Sequence, residues 1–176
     1  MFYFIRHGKT DYRERNTRIY QGFGVQLSKL SEEGVAQIQA AARDPRLSGA
    51  DIILCSPYTR AVQTAAILSK QLQVDISIET DLHEWLANKH YIYENDETAE
   101  LAFAEYEQHQ GQYPSGARLW EDAVSIRTRV VRVLRKYAAY KKVIVAGHGM
   151  MIQATTGQPR PQCGEIVEYH LEQDAE

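Results

Sequence analysis

The sequence predicts an α/β fold: a three-layer sandwich with a mostly parallel sheet, helices on both faces and a small cap insertion. Three observations predict it. The apolar runs at residues 1–5, 52–55 and 143–146 are unbroken, as strands covered on both faces are. Segments with apolar residues at helical spacing separate them. The chain has 176 residues and 44% hydrophobic content, which suits one domain over residues 1–176 with a real core.

Residues 1–5 make the first strand, and Arg6-His7-Gly8 stands where it ends. Residues 9–29 form a polar loop rich in Arg, Asn, Gln and Gly. Ser31-Glu32-Glu33 starts a helix that runs to about residue 43, with Val35, Ile38 and Ala42 on one face and Asp44-Pro45 to stop it. The second strand is 51–55. Pro57 then precedes a helix over 59–72 with Ala61, Thr64, Ala65 and Leu68 inward. Residues 74–78 alternate as a third strand.

The stretch 86–119 is less regular and is the predicted cap, lying over the carboxyl ends of the strands. It begins aromatic and basic, continues as an acidic helix over about 97–110, and turns at Pro114-Ser115-Gly116. A long amphipathic helix over 120–140 follows, with Ala123, Val124, Val130, Val131 and Leu134 as its buried stripe. Residues 143–146 are the fourth strand, 150–155 a short helix, and 165–171 a polar, alternating edge strand.

Composition excludes some classes. The 20 basic and 23 acidic residues leave a formal charge of −3, which gives no general attraction to nucleic acid. Cys55 and Cys163 form neither a disulfide framework nor a zinc spacing, and Cys55 reads as a buried small hydrophobe. The N-terminal residues lack a signal-peptide pattern, and no apolar run reaches membrane length. A cytoplasmic protein with no membrane partner is the expectation.

Ligands of open α/β sheets bind outside the carboxyl ends of the strands. Four motifs fall there or close by: Arg6-His7-Gly8, Ser56-Pro57-Tyr58-Thr59-Arg60, Leu82-His83-Glu84-Trp85 and Gly147-His148-Gly149-Met150. In this order they resemble the histidine phosphatase superfamily, which includes cofactor-dependent phosphoglycerate mutases and many small phosphatases. The resemblance covers nearly the whole chain, from Arg6 to the segment Glu165–Tyr169.

The chemistry of these residue types agrees with it. A transferring phosphoryl group spreads charge over three oxygens, so catalysis is mostly positioning and electrostatics. Arg6 and Arg60 suit this, because a guanidinium makes forked contacts to phosphate. His7 is the candidate nucleophile: the neighbouring positive charge keeps its imidazole neutral, and a carbonyl on its other nitrogen would fix the tautomer. Gly8 leaves its backbone amide accessible beside the phosphate. The glycines around His148 suggest a tight loop near a ligand, Gly149 included. The resemblance implies that His148 donates a hydrogen bond to the phosphoryl group.

A leaving oxygen needs a proton, which a carboxyl kept in its acid form can supply. Glu84 is favoured, because the family's acid follows the third strand at about this distance, and Trp85 beside it offers an apolar contact. Glu79 and Asp81 are its competitors. The family's other branch places an Asp after the second histidine, where this chain has Gly149. By resemblance Thr10, Gln21 and Gly22 line the pocket.

The chain also departs from the family pattern. Arg13 stands where an Asn is common, and Asn16 is the candidate to replace it. Gly116-Ala117-Arg118-Leu119 stands in place of a Gly-Glu-Ser element. Arg13, Arg15, Arg18 and Arg118 either bind an extra anionic group or form a solvated basic face. Trp85, Lys89, His90, Tyr91 and Tyr93 either line the pocket or pack the cap onto the sheet.

The short cap favours hydrolysis over transfer back to substrate. The expected activity is a phosphatase acting on a phosphomonoester, a small phosphorylated metabolite, through a phosphohistidine on His7, with no cofactor and no metal. Phosphoglycerate mutase-type transfer, a phosphohistidine-protein phosphatase and a non-catalytic phosphate-binding module are the alternatives. A homodimer is left open.

Overall fold

The computed structural model describes residues 1–15 and 24–171. Five strands form one sheet: β1 (Phe2–Arg6), β2 (Ile52–Cys55), β3 (Ile76–Ile78), β4 (Val143–Gly147) and β5 (Ile166–Tyr169). Their order across the sheet is β3-β2-β4-β1-β5. β1, β2 and β3 run parallel to their neighbours through β4 and β2, and only β5 is antiparallel, at the edge beside β1.

Among the described residues six α-helices accompany the sheet: α1 (Gly24–Leu27), α2 (Glu32–Ala41), α3 (Thr59–Leu72), α4 (Asp96–Gln108), α5 (Ala123–Lys136) and α6 (Gly149–Thr156). Successive strand side chains point to opposite faces. Ile144 and Ala146 of β4 therefore pack with Ile5, Ile53 and Cys55 beneath α2 and α3. Val143 and Val145 pack with Phe2, Phe4 and Leu54 beneath α5 and α6. Both faces are covered, which is why these strands read as unbroken apolar runs. The layers are those the sequence predicts, and no helix of the described residues is long and apolar enough to cross a membrane.

The caps explain the helix starts. Ser31 accepts from Gly34 N–H, Asn95 from Thr98 N–H and Asp122 from Ser125 N–H, each satisfying a free first-turn donor. The last of these corrects the sequence reading. The helix expected over 120–140 begins only after Asp122 and ends at Lys136. Its buried side is Ile126, Arg129, Val130, Val133 and Leu134, while Val124 is 71% exposed and Val131 only half-buried. A charged residue, Arg129, occupies the inward face, and that shifts the apparent phase of the apolar stripe. The third strand is also shorter than expected, and α1 interrupts the predicted polar loop.

Candidate active site

Three neighbouring parallel strands end side by side. His7 follows β1, Ser56 follows β2 and His148 follows β4. The turn is held by His7 N–H donating to Gly147 O at 2.9 Å and Ser56 N–H to Ala146 O at 3.2 Å. The His7 and His148 rings meet edge to face, 5.3 Å apart. Both are buried, as is Arg60 in the first turn of α3.

His7 has a defined tautomer. Its Nδ1 lies 2.8 Å from its neighbour's carbonyl, Gly8 O, and only a protonated Nδ1 bonds to a carbonyl. Nε2 accordingly keeps its lone pair and accepts from Arg60 Nε–H at 3.2 Å. Burial, then Arg60, and more weakly Arg6 disfavour the imidazolium and outweigh the Gly8 bond, pushing the pKa down to about 3. Thr10 Oγ1 sits 3.4 Å from Nδ1, at the edge of hydrogen-bond range.

The guanidiniums are anchored through backbone carbonyls. Arg60 Nη1–H donates to Val25 O at 2.8 Å, and Arg6 Nη1–H to Pro161 O at 2.7 Å. Arg6 Nε and His148 Nδ1 are buried without a hydrogen-bond partner among the described residues, as is Gln26 Oε1. A buried polar atom left unmet is costly, so Arg6 and His148 offer polar atoms that a bound polar group would satisfy.

Gly8 and Gly149 both permit close approaches. A Cβ at Gly8 would overlap the backbone of Gly34, so Gly8 lets the loop lie against α2. Its N–H is turned toward Thr64 Oγ1 at 3.4 Å rather than left open. A Cβ at Gly149 would come within 3.1 Å of Arg160 Cγ and 3.3 Å of Arg6 Cζ, so that glycine makes room for both arginine side chains.

Glu84 reaches the start of α6, immediately after His148. Its Oε1 accepts from Trp85 N–H at 2.9 Å and Met151 N–H at 3.0 Å, and its Oε2 from Met150 N–H at 3.3 Å. Amides surround this carboxyl, not the apolar contact expected of Trp85. The Trp85 indole instead packs on Phe103 and Tyr106 and donates to Glu121 O at 2.9 Å. Of the two competitors, Glu79 is tied to Lys136 and Tyr137, and Asp81 contributes its carbonyl to Arg129.

Sequence reasoning missed the residues that hold this loop. Arg129 and Glu121 form a buried ion pair at 2.6 Å. Arg129 also donates to the carbonyls of Asp81 at 2.6 Å, His83 at 2.9 Å and Glu84 at 3.4 Å. Glu121 lies just beyond the segment where a Gly-Glu-Ser element was sought. Arg129→Met would strand the Glu121 charge, an expected loss of about 3–5 kcal/mol. Urea unfolding checks it, and an unchanged midpoint would remove the clamp. Replacing both partners, with Glu121→Leu added, should restore much of the stability but not the loop geometry. Tyr58 was also passed over. Its ring lies 5.2 Å from His148 and 5.0 Å from the Arg60 guanidinium carbon.

The other predicted residues divide. Arg13 pairs with Asp11, Arg15 with Asp96 of α4, and Arg118 with Glu105. These pairs favour a surface role over an anion pocket. Asn16, Arg18, Gln21 and Gly22 lie outside the described residues. The aromatic cluster does not act as one unit. Lys89 contacts Tyr113, the Tyr91 hydroxyl bonds His83 Nε2 at 3.0 Å, and His90 and Tyr93 are exposed.

His83, like His7 and His148, is held below the ordinary value of 6.5, chiefly by burial. An unfolded chain returns all three to that value. Acidification below it therefore protonates the unfolded state while the folded state refuses the protons. Stability should be full above pH 6.5 and decline toward pH 3, where His7 itself accepts a proton. The decline is about 1.4 kcal/mol per pH unit for each histidine still refusing. Urea midpoints at pH 7.5 and 5.5 provide the check; equal midpoints would contradict it.

The sequence pattern described as the histidine phosphatase superfamily (branch 1) matches residues 2–159. Two sequences of agropine synthesis reductase from Rhizobium rhizogenes also match. One is 35% identical over 96 residues, covering 51% of this chain and 22% of that protein. The other is 27% identical over 159 residues, covering 86% and 33%. The chain thus spans a third or less of these curated relatives. Among solved structures, a mycobacterial glucosyl-3-phosphoglycerate phosphatase aligns with a TM-score of 0.65 at 24% identity, covering 88% of this chain and 76% of its own. YhfR of Bacillus stearothermophilus aligns at 0.64 and 18% identity, covering 87% and 76%. At such identities the structures share the fold.

Proposed function

The chain belongs to the histidine phosphatase superfamily, and on that premise we propose that it hydrolyses a phosphomonoester through a phosphohistidine on His7. The observation that carries this reading is the state of His7: neutral, with Nδ1–H held by Gly8 O and the Nε2 lone pair facing Arg60. His148 is the poorer candidate, because its Nε2 is already engaged by Ser56 Oγ at 2.7 Å.

A phosphoryl oxygen takes the Arg60 Nε–H away from His7, freeing the lone pair. Nε2 attacks phosphorus as the ester P–O bond breaks, and Glu84 in its acid form gives its proton to the leaving oxygen. Glu84 Oε2 is the suitable atom, since it accepts one long amide bond while Oε1 accepts two. The resulting carboxylate takes a proton from water, whose oxygen attacks phosphorus. The P–N bond breaks, orthophosphate leaves and Glu84 is again an acid. Arg6, Arg60 and His148 stabilise the phosphoryl charge throughout.

A small phosphorylated metabolite is the proposed substrate class, with residues 86–119 as a cap over the strand ends. The glucosyl-3-phosphoglycerate named for the mycobacterial neighbour is a molecule of that class. The test is p-nitrophenyl phosphate in the presence of a metal chelator, with samples quenched for intact mass. Turnover with a transient phosphoryl adduct supports the reading. Absence of both, repeated with 2,3-bisphosphoglycerate to probe mutase chemistry, rejects it and leaves a binding module.

A further inference from the structure

We infer that Ser56 is a positioning residue that dictates which nitrogen of His148 carries the proton. The inference deepens the proposal above, in which His148 donates to the phosphoryl group. Both side chains are fully buried, with Ser56 Oγ 2.7 Å from His148 Nε2. Ser56 Oγ also faces the backbone N–H of Tyr58 at 3.3 Å, and that bond gives it a donor but no acceptor.

Two proton arrangements fit the 2.7 Å contact. In the first, Nε2–H donates to Oγ. The serine proton then finds no acceptor among the described residues, and Nδ1 is a bare lone pair with no donor. In the second, Oγ–H donates to Nε2 while Oγ accepts from Tyr58. Only Nδ1–H is then unmet. Buried polar groups are rarely left unpaired, and the second arrangement leaves one where the first leaves two.

His148 holds a single proton, because burial and the nearby Arg60 keep it neutral. The serine therefore places that proton on Nδ1, the atom without a partner among the described residues. Among those residues, Nδ1–H of His148 and Nε–H of Arg6 are then buried donors at the strand ends that remain for an anion. With the opposite tautomer, Nδ1 would present a lone pair and repel a phosphoryl oxygen. The hydroxyl of Ser56 thereby decides whether the second histidine attracts the substrate or opposes it.

The experiment is a two-bond proton–nitrogen spectrum of histidine-labelled protein, with the His148 signal identified by its loss in His148→Asn. The parent protein should show a protonated Nδ1 and a bare Nε2. Ser56→Ala should move the proton to Nε2 or mix the two forms. Its kcat on p-nitrophenyl phosphate should fall on the order of 10²-fold, the usual cost of one lost oxyanion donor. Ser56→Thr keeps the hydroxyl and should retain the parent tautomer and rate. A parent spectrum with the proton on Nε2, or an unchanged tautomer in Ser56→Ala, overturns the inference. If Ser56→Ala does not fold, the parent spectrum decides. A parent protein without turnover sinks the phosphatase reading while the spectrum still settles the role of Ser56.

Discussion

Replacing His7 with asparagine should abolish turnover of every phosphomonoester and the phosphoryl adduct with it. The expected fall in kcat is at least about 10⁴-fold, as for other nucleophiles whose loss removes the covalent route. The fold should survive, because the His7 backbone N–H that donates to Gly147 O is untouched. The asparagine cannot attack, and the Arg60 Nε–H that His7 had accepted is free to bind anion. Orthophosphate or vanadate binding should therefore persist while chemistry stops. That separation distinguishes a lost nucleophile from a collapsed pocket. Rapid quench with intact mass measures the adduct, and calorimetry measures the anion. An adduct that persists in His7→Asn would transfer the role to another side chain.

Much of this site was legible in the sequence for a physical reason. β1, β2 and β4 are buried on both faces, so each is a continuous apolar run whose end can be located, and the residue after that end is a candidate for chemistry. Arg6 and His7 stand out that way; His148 also follows such a run, but its expected role comes from the family resemblance, as does the motif that carries Arg60. What supports them was not legible. The Arg129–Glu121 pair joins residues eight apart and faces inward, against the rule that charged residues lie outside. Read by hydropathy, Arg129 belongs on the solvent face, which is why Val124 and Val131 were wrongly placed in the buried stripe. Gly8 shows a different limit. Its need for a missing side chain comes from Gly34, twenty-six positions later, and no local pattern announces that contact. Trp85 stands beside Glu84 in sequence, but its ring follows the apolar cluster of Phe103 and Tyr106.

Glu84→Gln should separate substrates by how much help their leaving group needs. An alkyl alcohol is a poor leaving group and depends on a proton, so its release should slow on the order of 10²- to 10⁴-fold. p-Nitrophenolate leaves without one, so formation of the phosphohistidine from its ester should be far less affected. In the proposed mechanism the second step is common to both esters and also uses Glu84, now as base toward water. The adduct should therefore accumulate in Glu84→Gln when p-nitrophenyl phosphate is supplied, giving a burst of one product equivalent and then slow turnover. The glutamine amide oxygen can still accept the N–H groups of Trp85 and Met151, and only the longer bond from Met150 N–H to the other oxygen is given up, so the loop stays anchored and the loss is chiefly chemical. Burst kinetics across phenyl and alkyl phosphates check the whole pattern. Equal slowing for every leaving group, with no burst, would take the proton from Glu84 and return Glu79 or Asp81 to consideration, although Glu79 is engaged by Lys136 and Tyr137.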